Sequence, residues 1–120
     1  MAAREHTAGG KRRERVSDLL QREIANIISE GNVRDRRVSH AVITHVSLSG
    51  DMSHAKIFFT HMKGGSPDAM SEAFGKLSGF FRREVASRLN MRKVPSLEFS
   101  PDDVADSARR VDEIIRREGG

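Results

Sequence analysis

Hydrophobic residues recur every three or four positions in two long stretches of the chain, which is the pattern of an amphipathic helix. The first stretch covers residues 12–30 and is followed by Gly31, a typical helix end. The second begins after Ser66, an N-cap residue that is followed by a proline and an acid, and runs to Asn90. We therefore predict helical structure over both stretches.

The second helical region contains two glycines, Gly75 and Gly79, in its interior. Each costs about 1 kcal/mol relative to alanine in a helix, and a serine stands beside the second glycine. Periodicity alone allows one unbroken helix, because the apolar stripe continues across this point. We favour a kink at Leu77-Ser78-Gly79 that divides the region into two helices.

Between the helical regions, apolar and polar residues alternate, which predicts two β-strands over residues 42–48 and 53–61. A four-residue loop, 49–52, joins them into a hairpin. The register that follows pairs Leu48 with Ser53, Val46 with Ala55, Thr44 with Ile57, and Val42 with Phe59. These pairs share one mostly apolar inner face, whereas Ile43 and Phe58 lie together on the outer face.

The rest of the chain adds one strand and one helix. Ser96-Leu97-Glu98-Phe99 alternates as a short strand, and Ser100-Pro101-Asp102-Asp103 then repeats the cap, proline and acid signature of a helix start. The predicted order is αββααβα, an α+β fold. Residues 1–10 have no periodicity and end in two glycines, so we expect a disordered lead before a single domain over residues 11–117.

Composition narrows the class of protein. The chain has 120 residues, a formal net charge of +4 at pH 7 and no cysteine, which excludes disulfides, a thiolate metal site and a cysteine nucleophile. The first residues lack the apolar core of a signal peptide, and no apolar run is long enough to cross a membrane. We expect a cytoplasmic protein without a membrane partner.

No residue pattern indicates catalysis, a metal or a cofactor. The five histidines lack metal-binding spacings, and neither a phosphate-binding P-loop nor a dinucleotide-binding glycine motif occurs. Asp51 stands in the hairpin loop without an acid or base partner, so we interpret it as a turn-stabilising residue. We therefore expect a protein that is not an enzyme.

Two groups of cations lack a local structural explanation. Four crowd the start of the first helix, where the positive end of the helix dipole disfavours them, and Arg82 and Arg83 would do the same in a helix that starts at Gly79. Arg88, Arg92 and Lys93 continue the basic series. Phosphates at these positions would account for both groups. Because the chain has no Trp or Tyr, we expect contacts with RNA backbone and shape rather than base stacking.

Several linked motifs, in this order, resemble the ribosome-binding factor A family. They are Arg12-Arg13-Glu14-Arg15-Val16, Val46-Ser47-Leu48-Ser49-Gly50-Asp51-Met52, Ala55-Lys56-Ile57, Leu77-Ser78-Gly79-Phe80-Phe81-Arg82 and the segment from Leu89 to Phe99. The resemblance implies a type II KH-like fold, αββααβ with a three-stranded sheet packed on helices, plus a C-terminal helix. The family has an Ala-x-Gly kink between two helices, and Leu77 departs from it.

The resemblance also implies a function in late maturation of the small (30S) ribosomal subunit. The expected partners are the free subunit and its 16S rRNA, with a role in 5′ processing of precursor rRNA and in cold growth, and a GTPase of small-subunit maturation is a candidate partner of the monomer. The predicted RNA-binding residues are Lys11, Arg12, Arg13, Arg15, Lys76, Ser78, Gly79, Arg82, Arg83, Arg88, Arg92 and Lys93.

Two alternatives stay open. The chain could be a general KH-type RNA-binding protein, or a protein-interaction module that uses the exposed sheet face around Ile43 and Phe58. Salt distinguishes them, because RNA binding weakens with salt whereas docking on a sheet face responds weakly.

Overall fold

The structure is a computed structural model that describes residues 2–61 and 65–103, with residues 2–10 given by their backbone alone. The elements are α1 (Ala2–Ser29), a 3-10 turn (Arg36–Val38), β1 (Ala41–Leu48), β2 (His54–His61), α2 (Pro67–Leu89) and β3 (Ser96–Pro101). The predicted C-terminal helix lies outside the described residues, beyond Asp103. The predicted single domain over residues 11–117 stays a prediction.

The three strands form one sheet in the order β1-β2-β3. β2 is the central strand, antiparallel to β1 and parallel to β3. Both helices pack on the same face of the sheet, because the buried residues of all five elements form one hydrophobic cluster. The opposite face carries exposed polar residues such as His54 and Lys56. The expected α+β, KH-like architecture is confirmed.

Aromatic rings join the helix and sheet layers. Phe74 of α2 lies 4.8 Å from Phe59 of β2 and 4.3 Å from Phe99 of β3, measured between ring centroids, and it stacks on Phe99. Phe59, Phe74 and Phe81 are all fully buried. Burial of one phenylalanine side chain contributes roughly 1.5 to 3 kcal/mol, so this cluster fixes α2 against the sheet.

The first helix is longer than predicted. It begins at Ala2 rather than at residue 12, so residues 2–10 are helical where a disordered lead was expected. Alanine, arginine and glutamate near the start are good helix formers and offset the two glycines that follow. The helix ends as predicted, with Gly31 in the left-handed conformation at φ 76°. The cations at residues 11–15 therefore lie in the helix interior, where the dipole argument does not apply.

The second helix is continuous, so the predicted break into two helices is wrong. Residues 67–89 form one helix with Ser66 as its N-cap and Asn90, at φ 51°, as its C-cap. Two glycines cost about 2 kcal/mol together, whereas burial of Phe81 alone contributes a similar amount. Ser78 donates its hydroxyl to the Gly75 carbonyl at 3.1 Å, one turn back, and the helix continues. Since no helix starts at Gly79, Arg82 and Arg83 do not oppose a helix dipole.

The hairpin pairs two residues out of the predicted register. Leu48 lies opposite Ala55, and Val46 lies opposite Ile57. A shift of two keeps every side chain on its face, so the inner face near the loop is as predicted. The loop is wider than expected, since the first bond that closes it runs from the Ser49 amide to the His54 carbonyl at 2.9 Å.

A β-bulge between Ile43 and His45 changes the faces at the start of β1. Ile43 points into the core and is 7% exposed, whereas Val42, predicted to be inside, is 38% exposed. The expected exposed surface around Ile43 and Phe58 is therefore wrong, since Ile43 is buried and Phe58 is half-buried. Gln21 of α1 reaches this bulge and donates its side-chain amide to the Ile43 carbonyl at 3.4 Å.

Candidate nucleic-acid interface

A groove lies where α1, the β1–β2 loop and the segment after α2 meet. It has a volume of about 950 Å³, and we call it the basic groove. One acid, Asp51, lines it. Four cations also line it, namely Arg12, Arg82, Arg92 and Lys93. The other described residues in its wall are Val16, Met52, Ser53, Met91, Val94 and Pro95. Three separate parts of the chain therefore contribute positive charge to one concave surface.

The end of α2 places three of these cations together. Asn90 adopts the left-handed conformation, and the Met91 amide donates to the Ala86 carbonyl at 3.2 Å, which turns the chain sharply. The segment then returns along α2, where the Arg82 guanidinium donates to the Val94 carbonyl at 3.2 Å. Arg92 and Lys93 are exposed in this bend. The bend thus brings charges ten and eleven residues apart in sequence to the same site.

Asp51 fastens the β1–β2 loop through hydrogen bonds to two serines. Its carboxylate accepts the Ser53 hydroxyl at 2.7 Å, the Ser53 amide at 3.1 Å and the Ser49 hydroxyl at 2.8 Å. These bonds, led by the one from the Ser53 hydroxyl, lower the pKa of Asp51 to about 2. The turn-stabilising role expected from the sequence is confirmed, and the charge of the groove is positive on balance.

The predicted cluster at residues 11–15 does not face one ligand. Arg12 lines the basic groove, whereas Arg13 borders a second, smaller groove between α1 and β1. Lys11 and Arg15 are exposed and line neither groove. Arg12 and Arg13 are adjacent on the helix and point about 100° apart, so they face different grooves. Only Arg12 of this group joins the site that the C-terminal end of α2 forms.

Arg88 is also placed outside the groove. Its guanidinium pairs with both carboxylate oxygens of Glu30, one at 2.7 Å, and lies 3.7 Å from Glu23 and 4.0 Å from Glu84. The hydrogen bond from Arg88 lowers the pKa of Glu30, and the same bond raises the pKa of Arg88. The Arg88 guanidinium, whose two N–H groups could hold a phosphate, thus joins α2 to the end of α1.

The remaining predicted residues lie along α2 outside the groove. Lys76 is exposed and pairs with Glu72 at 3.3 Å. Gly79 is exposed, and the Arg83 guanidinium lies 3.5 Å from the point where a Cβ would stand. Ser78 is half-buried and bonded to the Gly75 carbonyl.

Sequence reasoning missed the uncharged wall of the groove. Met52, Ser53 and Met91 line it, and no periodicity or charge pattern singles them out. The positive φ of Met52, 59°, belongs to the wider loop that the predicted register did not contain.

The fold and the groove define a KH-like α+β protein with a basic surface suited to nucleic acid. Within the described ranges, no helix could span a bilayer, and no group of three acidic or histidine side chains could hold a metal ion.

Comparison with known proteins identifies the family. The family model described as "Ribosome-binding factor A" matches residues 12–115, so the chain belongs to this family. A relative of that name from Magnetococcus marinus is 35% identical over 105 residues, which cover 87% of this chain and 85% of the relative. One from Syntrophus aciditrophicus is 41% identical over 107 residues, covering 88% and 85%.

Solved structures agree on the fold. The crystal structure of ribosome-binding factor A from Thermus thermophilus matches with a TM-score of 0.67 and 24% identity over 74% of this chain and 93% of that chain. A homology model of the Thermus thermophilus protein, fitted into a cryo-EM map of a 30S complex, matches with a TM-score of 0.57 and 26% identity. That match covers 68% of this chain and 86% of the fitted chain.

Proposed function

We propose that this chain is a ribosome assembly factor that binds the free small (30S) subunit and its 16S rRNA during late maturation and 5′ processing. It acts by stoichiometric binding in the cytoplasm, as a monomer and without catalytic turnover, with a GTPase of small-subunit maturation as a candidate partner. Membership of the ribosome-binding factor A family and the 30S complex of its Thermus relative support this proposal.

The observation that carries the proposal is the basic groove. Four exposed cations from distant parts of the sequence converge there, and the one acid among the described lining residues is held in hydrogen bonds to its own loop. Clustered arginine and lysine gain from phosphate because binding releases condensed counterions. The described lining has no aromatic ring on which a base could stack, so the groove suits a sugar-phosphate backbone.

Gly79 supports a close approach of RNA backbone to the exposed side of α2, outside the basic groove. A Cβ at Gly79 or at Gly75 would meet nothing closer than 3.5 Å, and neither glycine has a positive φ. The fold therefore does not require glycine at either position, although each destabilises the helix by about 1 kcal/mol relative to alanine. At Gly79, next to Arg82 and Arg83, we attribute the missing side chain to the space that RNA needs.

Gradient fractionation of a cell lysate tests the proposal. The full chain is expected to migrate with free small subunits, and a variant with Arg92→Glu and Lys93→Glu is expected to leave them. Both side chains are exposed, so the variant keeps the fold. Arg22→Glu is the control, because Arg22 is exposed on α1 and lines neither of the two grooves described above.

The result also separates the alternatives. Binding to all RNA without preference for free small subunits would favour the general KH-type RNA-binding protein. Absence of the wild-type chain from every ribosomal fraction would remove the proposed function. No described feature favours docking on the outer sheet face, since the bulge places Ile43 in the core.

A further inference from the structure

A second group of cations surrounds the 3-10 turn that follows α1. The segment 34–37 reads Arg-Asp-Arg-Arg, and α2 packs against the turn. We call the turn patch the group of five cations that this segment and α2 carry: Arg34, Arg36, Arg37, Lys76 and Arg83. None of these residues lines the basic groove.

The turn is held in one place by three contacts. Val38, its last residue, is fully buried in the core. The Asp35 carboxylate accepts the Arg37 amide at 3.0 Å and pairs with the Arg37 guanidinium at 2.7 Å. The Ser39 hydroxyl donates to the Arg36 carbonyl at 2.8 Å. The backbone that carries Arg34 and Arg36 is therefore fixed before any ligand arrives.

Charged residues of α2 shift the pKa values of residues in the turn, so the two lie close together. The Arg37 hydrogen bonds lower the pKa of Asp35 to about 2, and the charge of Lys76 adds to the lowering. Asp35 likewise raises the pKa of Arg37, with a further contribution from Glu72. Arg83 follows Lys76 by seven residues, which is nearly two helical turns, so both lie on one side of α2.

Two acids beside the turn patch already form ion pairs within the protein. Asp35 pairs with Arg37, and Glu72 pairs with Lys76. Arg34, Arg36 and Arg83 are exposed and form no ion pair with another described residue. Unpaired like charges on a surface repel one another and add nothing to the stability of the fold. A negatively charged ligand would explain the presence of three unpaired arginines at this position.

We propose that the turn patch is a second phosphate-binding surface, which holds the RNA backbone on a different side of α2 from the basic groove. This inference rests on the proposed function. Arg82 and Arg83 are adjacent and point about 100° apart, so one serves the groove and the other the turn patch. An RNA that contacts both surfaces must extend across α2, whose width with side chains is about 10 to 12 Å.

The test is the salt dependence of binding to free small subunits, measured with the full chain. The slope of log K against log salt is negative, and each lost phosphate contact reduces its magnitude by roughly 0.7 to 0.9. For a variant with Arg34→Ala and Arg36→Ala, the magnitude of the slope is therefore expected to be smaller than in the wild type by roughly 1.4 to 1.8. The variant with Arg34→Lys and Arg36→Lys keeps the charge and is expected to retain the wild-type slope. Thermal unfolding confirms that both variants fold.

Arg22→Glu is the matched control, because it changes the net charge by the same two units at an exposed site outside both surfaces. An equal loss of slope in this control would show an effect of net charge alone and overturn the inference. An unchanged slope in the alanine variant, with a reduced slope in Arg92→Glu, would remove the turn patch and leave the basic groove in place. Failure of the wild-type chain to bind would instead reject the proposed function itself.

Discussion

Arginines on the same helix differ in what they contact, and this decides their roles. Arg82 keeps part of its guanidinium free in the basic groove, while Arg88 is surrounded by three glutamates. Both looked alike in sequence, because each lies within a basic series after the glycines. The acids that hold Arg88 come from α1 as well as α2, and a contact between helices has no signature in one sequence.

Replacing Arg88 with alanine is expected to lower Tm and to leave the affinity for small subunits unchanged. The loss of Tm follows because Glu30 and Glu23 lose the cation that offsets their repulsion. Arg92→Ala is the comparison: it is expected to keep Tm and to lower the salt slope by roughly 0.7 to 0.9. A fall in affinity with Arg88→Ala at constant Tm would contradict this assignment.

At the scale of elements, local chemistry predicted the ends well. Ser66 caps α2 through its hydroxyl, which accepts the Ala69 amide at 3.3 Å, and Asn90 and Gly31 end the two helices as expected. Such ends depend on a few neighbouring residues. The bulge at Ile43 depends on packing between distant segments, so sequence patterns did not reveal it. The continuous apolar stripe allowed an unbroken α2, and the cost of the two glycines was weighted too heavily.

In the basic groove, too, some residues were predicted from the sequence, whereas their arrangement in space was not. Arg12 and Arg82 were predicted from expected helix starts, and Arg92 and Lys93 as a continuation of the basic series. The structure places all four in the groove, although no helix starts at Arg12 or at Gly79. Their convergence depends on the bend after α2 and on the position of the hairpin loop. Lys11 and Arg15 belong to the same charge run as Arg12, and the sequence does not show which of these cations lines the groove.

Substitution of the two glycines of α2 separates stability from binding. Gly75→Ala and Gly79→Ala are each expected to raise the free energy of unfolding by about 1 kcal/mol, since an added methyl group meets open space or an ordinary contact. Only Gly79→Ala is expected to weaken binding to small subunits, because only Gly79 lies beside Arg82 and Arg83. Chemical denaturation and subunit binding of the same two variants check this. Equal affinities in both would separate Gly79 from the RNA surface.

At the scale of the whole molecule, the carboxylates that hold the loops set the response to acid. Asp35 and Asp51 both have a pKa near 2, below the usual value of 3.8. A carboxyl whose pKa is lowered by folding stabilises the protein above its unfolded pKa, and that contribution is lost as the pH falls through the folded value. The free energy of unfolding is therefore expected to fall between about pH 4 and pH 2.

Asp51→Asn tests this dependence in one loop. The variant is expected to be less stable at neutral pH and to show a shallower loss of stability between about pH 4 and pH 2, since only Asp35 of the two still titrates there. Denaturant unfolding at a series of pH values measures both effects. A curve parallel to that of the wild type across this window would show that Asp51 does not fasten the loop.

The bulge in β1 has a consequence for how molecules of this protein meet one another. β1 is an edge strand, and an uninterrupted edge offers a row of free amides and carbonyls to which another chain can add a strand. Here the bulge breaks that row, and Gln21 of α1 covers the Ile43 and Thr44 carbonyls. The β1 edge is thus poorly suited to strand exchange or aggregation.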